Sequence, residues 1–184
     1  MITFIQTKRL ILRSWKKEDL EPFAKLNACK YVCEFLPKPL IKSESDNLAE
    51  RIIAHFDKHG FGLYAVERKD NGKFIGFTGL SIPIFEAHFM PAVEIGWRLS
   101  YENWGQGFAT EAALAVRDYA FEELGLNEIV SFTAEKNASS RRVMEKIGMQ
   151  HDKVDDFDHP SLPSDHPLQR HVLYRLKNSM RKKI

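Results

Sequence analysis

A strand–turn–helix–strand run in the middle of the chain constrains the fold most. Across residues 91–100, Val93, Ile95 and Trp97 alternate with Glu94, Gly96 and Arg98, the period of a strand with two unlike faces. Across residues 107–124, Ala109, Ala113, Val116, Ala120 and Leu124 recur at helical spacing, and Gly125 stops the run. Residues 129–134 read as a further strand. A strand, a helix and a strand in that order predict two parallel neighbours joined by a right-handed crossover.

The turn inside this unit is where chemistry is expected. It reads Trp104, Gly105, Gln106, Gly107, Phe108, Ala109, Thr110. Glycines let the backbone turn sharply and let amide N–H groups converge. The helix start adds its unpaired N–H groups and the positive end of its dipole. Together they form an anion cradle suited to a pyrophosphate; the plainer alternative is a tight turn followed by helix-packing alanines. Two nucleotide motifs do not fit. The dinucleotide fingerprint G-x-G-x-x-G needs glycine where Thr110 stands, and the P-loop needs a Lys-Ser/Thr pair that is missing.

The flanking segments give the order β-α-α-β-β-β-α-β-α-β-β. A first strand spans 9–13. A helix opens at Glu18 and Asp19, with Pro22 tolerated in its first turn, and a second runs over 44–59 with Ser43 as cap. Strands over 62–68 and 73–82 flank the turn signal Asp70-Asn71-Gly72. A short helix over 139–147 precedes a last strand pair, 149–154 and 171–176, whose connection is rich in Asp, His and Pro. One domain is expected over residues 1–176, with a basic tail over 177–184.

Composition narrows the class. In 184 residues, 43% hydrophobic and 28% charged side chains suffice for a full core and exclude disorder as the main state. A formal net charge of +2 argues against a nucleic-acid binder working through a large basic field. No window approaches the ~18 apolar residues of a membrane span, and the first residues lack a signal peptide's apolar stretch. Cys29 and Cys33 have no matching His or Cys pair, so reduced thiols in a cytoplasmic protein are expected, with no metal.

The turn resembles the acyl-coenzyme A signature R/Q-x-x-G-x-G/A of the GNAT superfamily of N-acetyltransferases, with Gly107 and Ala109 in the small positions and Trp104 where Arg or Gln is usual. It is similar in particular to the ribosomal-protein N-terminal alanine acetyltransferases, which carry W-G-x-G-Y/F-A-T-E-A. Three further segments match that branch in register: Thr7 to Arg13, Val93 to Trp97, and Asn137 to Met149, the last as N-x-x-S-x-x-V-x-E-K-x-G-F/M. The resemblance implies an α/β (α+β) fold, with a mixed, mostly antiparallel sheet of about seven strands flanked by four helices. It implies acetyl-coenzyme A as donor and direct transfer to a primary amine, either a protein N-terminus or a small molecule, with no nucleic acid or membrane partner and a homodimer left open.

It also implies roles. Main-chain N–H groups of Ile95, Trp97 and Leu99 would hold the acetyl carbonyl. Residues Trp104, Gly105, Gln106, Gly107, Phe108, Ala109 and Thr110 would hold the pyrophosphate. Asn137 would bond the pantetheine arm, although it also reads as a helix cap. Ser140 would lie near the thioester sulfur, the one candidate acid, because Met144 stands where many members have Tyr. Arg142, or Arg141, would reach the phosphates, or else be a solvated helix face.

The amine acceptor must lose a proton before attack. Glu94, on the central strand, is the leading general base, and a carboxylate facing a cleft between apolar strands should have a raised pKa. Pairing with Arg98 or Lys73 is the alternative. His151, His159 and His166 are runners-up. Asp152, Asp155, Asp156 and Asp158 lie where the chain enters the His/Pro-rich loop; as open carboxylates they would favour cationic acceptors, otherwise they are a solvated strand end. Two rival classes are a non-catalytic acyl-coenzyme A sensor, which would not need Glu94, and a nucleotide-binding α/β protein.

Overall fold

The computed structural model describes residues 4–178. Nine strands form one sheet: β1 (Ile5–Gln6), β2 (Leu10–Arg13), β3 (Leu63–Arg68), β4 (Phe74–Ser81), β5 (Glu94–Leu99), β6 (Glu128–Ala134), β7 (Gln150–His151), β8 (Phe157–Asp158) and β9 (Arg170–Lys177). The helices are α1 (Leu20–Ala28), α2 (Lys42–His59), α3 (Phe108–Glu122) and α4 (Ala138–Lys146). The strand order is β1-β2-β3-β4-β5-β6-β9-β7, with β8 also on β9. Every pairing is antiparallel except β5 with β6, the predicted parallel neighbours around α3.

The seven expected strands are present, and β1 and β8 are additions. Each has two residues, too short to show a period of two. The expected strand over 149–154 shrinks to β7 because the Asp152 carboxylate accepts the Val154 N–H at 3.1 Å and starts a 3₁₀ turn. Helix α2 is not capped by Ser43. It begins at Lys42, and the Glu44 carboxylate reaches back to the Ile41 N–H at 3.0 Å. Lys177, expected to start the tail, closes β9 opposite Glu128; residues 179–184 lie outside the described residues.

The sheet separates two cores. Helix α3 lays Phe108, Ala112, Ala113, Val116 and Ala120 against Leu10, Leu12, Leu80, Ile95 and Leu99 on one side. On the other, α1 and α2 bring Phe23, Leu26, Ala49 and Ile52 onto Phe77. Strand β5 therefore turns Ile95, Trp97 and Leu99 toward α3, and Glu94, Gly96 and Arg98 toward the α1/α2 side. A third cluster gathers Phe89, Val130, Phe157 and Leu173 with Phe85 and Phe132 beneath the loop after β7.

The feature that positions the site is the divergence of β5 from β6. β5 is paired with β4 along its full length, Glu94 to Leu99 against Ser81 to Gly76. It pairs with β6 at one position only, Glu94 with Val130, beside the Val130 N–H to Val93 carbonyl bond of 2.9 Å. Beyond that point the two strands splay.

Candidate active site

Main-chain groups of alternate strand residues point to opposite edges. The Ser100 N–H donates to the Ile75 carbonyl at 2.9 Å, so residues 98, 96 and 94 direct their groups at β4. Ile95, Trp97 and Leu99 direct theirs into the splay. The three residues expected to offer N–H groups to an acetyl carbonyl thus share the open edge.

The glycine turn lies at the end of this edge. Gly105 and Gly107 have φ of +72° and +80°, the left-handed region that glycine adopts without strain. Gly107 occupies the N-cap position of α3 and no side chain caps it, so the first amides of the helix, from Phe108 to Thr110, keep their orphan N–H groups. Trp104 donates its indole N–H to the Leu99 carbonyl at 2.8 Å and packs edge-on to Tyr101, tying the turn to β5. Arg9 braces the other side. Its guanidinium donates to the Gln106 carbonyl at 2.9 Å and to Glu111 at 2.6 Å, and lies 4.4 Å over the Phe108 ring. Thr7 and the Arg9 N–H also hold Glu111, at 2.6 and 2.8 Å. The sequence pattern assigned this Thr7–Arg9–Glu111 clamp no role; the acidic residue in the first turn of α3 was its one visible sign. A donor set of convergent amides at a helix start fits a pyrophosphate.

Helix α4 begins at Asn137, whose Oδ1 accepts the Ser140 N–H at 3.2 Å. Its Nδ2 donates to Thr133 Oγ1 at 2.9 Å and to Ser140 Oγ at 3.1 Å. The cap reading of Asn137 is therefore realised, and the Oδ1 retains a second lone pair. Because Ser140 Oγ accepts from Asn137, its own O–H is left to donate. Arg141 turns back to the Tyr174 hydroxyl at 3.3 Å and the Glu135 carbonyl at 3.2 Å, whereas Arg142 is exposed. Met144 is buried in the core.

Glu94 is half-buried at the last point where β5 and β6 pair. Neither Arg98 nor Lys73 pairs with it; among the described residues its side-chain hydrogen bond is from Ser81 Oγ, at 3.3 Å. Burial pushes its pKa up to about 7, and the weak Ser81 bond opposes this only partly. A carboxyl whose folded pKa lies above its unfolded value stabilises the fold fully below the unfolded value and loses that contribution as pH rises through the folded one. Glu94→Gln, a mimic of the neutral acid, should match the parent in thermal stability below about pH 4 and exceed it increasingly up to pH 7–8. Thermal melts across that range check this; a parent at least as stable as the variant at pH 8 contradicts it.

The other base candidates are committed elsewhere. His151 Nε2 lies 2.7 Å from Asp156, and its ring stacks on Tyr174. His159 and His171 sit beside Phe85, Phe132 and Phe157, and burial pushes both pKa values down. His166 accepts the Leu168 N–H at 3.1 Å. The four aspartates do not form an open acidic ring. Asp155 binds Arg175 at 2.7 Å, Asp156 holds His151, Asp158 faces Arg170 at 3.3 Å and Asp152 caps its turn. Of the two readings of these aspartates, the open cation-attracting rim is set aside, because each carboxylate at this strand end has a partner of its own. Cys33 donates to the Asn27 carbonyl at 3.0 Å, and burial raises its pKa, so it is an inert thiol.

Residues 9–150 match the family model described as acetyltransferase (GNAT) domain. The chain belongs to this family. YoaA of Bacillus subtilis (strain 168), an uncharacterized N-acetyltransferase, is 30% identical over 84% of this chain and 86% of its own length. YdaF of the same organism, named as a ribosomal N-acetyltransferase, is 44% identical over 58% of this chain and 57% of its own. The fold is shared with RimL, the ribosomal L7/L12 α-N-protein acetyltransferase solved with coenzyme A: TM-score 0.76 at 15% identity, covering 95% of this chain and 98% of that one. Among the described residues, no helix is long and apolar enough to cross a membrane and no group of three or more His, Cys, Asp or Glu is placed to hold a metal ion.

Proposed function

We propose that this acetyltransferase moves the acetyl group of acetyl-coenzyme A directly to a primary amine, the α-amine of a protein N-terminus or a small-molecule amine. The observation that carries the reading is the splay of β5 from β6, with Glu94 at its apex and the uncapped start of α3 at its mouth. The coenzyme A complex of a protein with the same fold, and the acetyltransferase names of the relatives, support the choice of donor.

Each residue then has a part. Amides of residues 107–110 hold the pyrophosphate, with Arg142 in reach of phosphate charge as an exposed cation. Asn137 offers its remaining Oδ1 lone pair to an amide of the pantetheine arm. Bound acetyl-coenzyme A supplies the acyl group as a thioester. Glu94, as the carboxylate, takes a proton from the acceptor ammonium. The main-chain N–H groups of Ile95, Trp97 and Leu99 line the edge where negative charge develops on the carbonyl oxygen. The Ser140 O–H is free to donate to the departing thiolate, whose ordinary pKa near ~8.5 already makes it a fair leaving group. Cys29 and Cys33 take no part, since direct transfer in a ternary complex requires no acyl-enzyme.

A screen of amines and N-terminal peptides with acetyl-coenzyme A, read as free thiol release, tests the reading. Amine-dependent thiol release is expected. Coenzyme A binding without release on any amine would instead favour a sensor.

A further inference from the structure

The face of β5 opposite its apolar side carries Glu94, Gly96 and Arg98 in a row. Gly96 leaves the middle of that row bare. A Cβ built on it would find only Glu94 Oε1 within 4 Å, at 3.9 Å. The result is a slot with a carboxyl at one end and a guanidinium at the other.

The guanidinium is set but not neutralised. Arg98 Nη1 donates to Asn27 Oδ1 at 2.7 Å, and the group lies 5.4 Å from the centroid of the Phe77 ring. Asn27 is fully buried and is itself fixed by its Nδ2 bond to Ser45 Oγ at 2.9 Å. Among the described residues no carboxylate pairs with Arg98. The nearby Cys33 is a neutral thiol whose hydrogen is spent on the Asn27 carbonyl. The chain treats its other enclosed arginines differently: Arg13 is held by Asp19 and Glu67, and Arg175 by Asp155 and Glu128. A guanidinium has five N–H donors in a planar fork, of which Asn27 engages one. Holding such a charge half-buried without an anion is costly, and a carboxylate or phosphate matches the fork two-pronged.

Resting on the acetyltransferase reading above, we infer that the acceptor groove selects primary amines that carry an anionic group at a distance from the reacting nitrogen, with Arg98 as the residue that binds the anion. The spacing sets the class. Glu94 and Arg98 are four residues apart on an extended strand, roughly 13 Å between Cα atoms. The carboxylate of an ordinary α-amino acid, two bonds from its nitrogen, cannot serve Arg98 while its amine meets Glu94. An ω-amino acid can, and so can a peptide N-terminus with Asp or Glu close behind it. This is the opposite charge preference from the one that an open aspartate rim would have produced.

The test compares kcat/KM for 6-aminohexanoate, 6-aminohexanamide and 1,5-diaminopentane, which share chain length and differ in the charge at the far end. Amidated Ala-Glu-Ala and Ala-Gln-Ala separate a peptide acceptor from a small molecule. The parent should favour the carboxylate of each pair by roughly 10- to 100-fold, the range for a charge-assisted hydrogen bond, expressed mainly in KM. In Arg98→Gln that ratio should fall to about one. Arg98→Lys, which keeps the charge and loses the fork, should retain part of it. Calorimetry with coenzyme A reports that each variant is folded. Equal kcat/KM for carboxylate and amide in the parent overturns the inference, as does a preference that survives unchanged in both variants. If no amine turns over, the transferase reading itself falls and this inference with it.

Discussion

Replacing Glu94 with Gln should lower kcat by ~10²–10⁴-fold near neutral pH, the range that a positioned general base contributes. The substitution keeps the side chain's shape and its bond from Ser81, and removes only the proton acceptor. A base is most effective when its pKa lies near the working pH, and burial has pushed Glu94 up to about 7. The parent's kcat/KM should therefore rise with pH through about 7 as the carboxylate forms. The variant should lack that step and recover at high pH, where the amine is neutral without help. The pH–rate profiles of both proteins with one acceptor check this. A variant with parent-like rate and profile would move proton removal to bulk water or to His151, whose Nε2 meets Asp156; the half-buried His159 and His171 stand among aromatic rings.

The parts of the site legible in the sequence are those written in local periodicity and glycine. The alternation around Glu94 placed that residue and Gly96 on one face and Ile95 on the other, and the α3 pattern began where Gly107 adopts a positive φ. The Asp70-Asn71-Gly72 turn joined β3 to β4 as expected. What was not legible depends on residues far apart in the chain. The acidic residues at 155 and 158 look open in sequence because Arg170 and Arg175 reach them only through the β8–β9 register and the folding of the loop. Phe85 and Phe89 share the β4–β5 connection, but Phe132 and Phe157 come from β6 and β8, so no local period announced their cluster. Ser43 looked like a helix cap by residue type. Glu44 won because its longer side chain reaches the Ile41 N–H while also meeting Lys38. Arg98 seemed a natural partner for Glu94, yet strand geometry holds their Cα atoms roughly 13 Å apart and gives Arg98 to Asn27.

Gly107→Val should abolish coenzyme A binding while leaving the protein folded. Crowding is not the cause: a Cβ at this position would meet only Arg9 Nη2, at 3.5 Å. The cause is the φ of +80°, which a β-branched residue adopts only under strain, at a cost of order 1–3 kcal/mol. Relief of that strain turns the peptide planes on either side of residue 107, and with them the amides that start α3. A cradle made of main-chain N–H groups has no side chain to compensate. Gly60 supplies the control. It ends α2 with a φ of +75°, also has room for a Cβ, and takes no part in the cradle. Gly60→Val should lose a similar amount of stability, within the 5–15 kcal/mol typical of a domain, and keep its affinity. Calorimetric titration of coenzyme A into both variants, with circular dichroism melts alongside, separates the two effects. Equal affinity in parent and folded Gly107→Val would mean that the glycine turn is a connection and not the anion cradle. Equal losses in both variants would mean that affinity follows global stability and not the orientation of these amides.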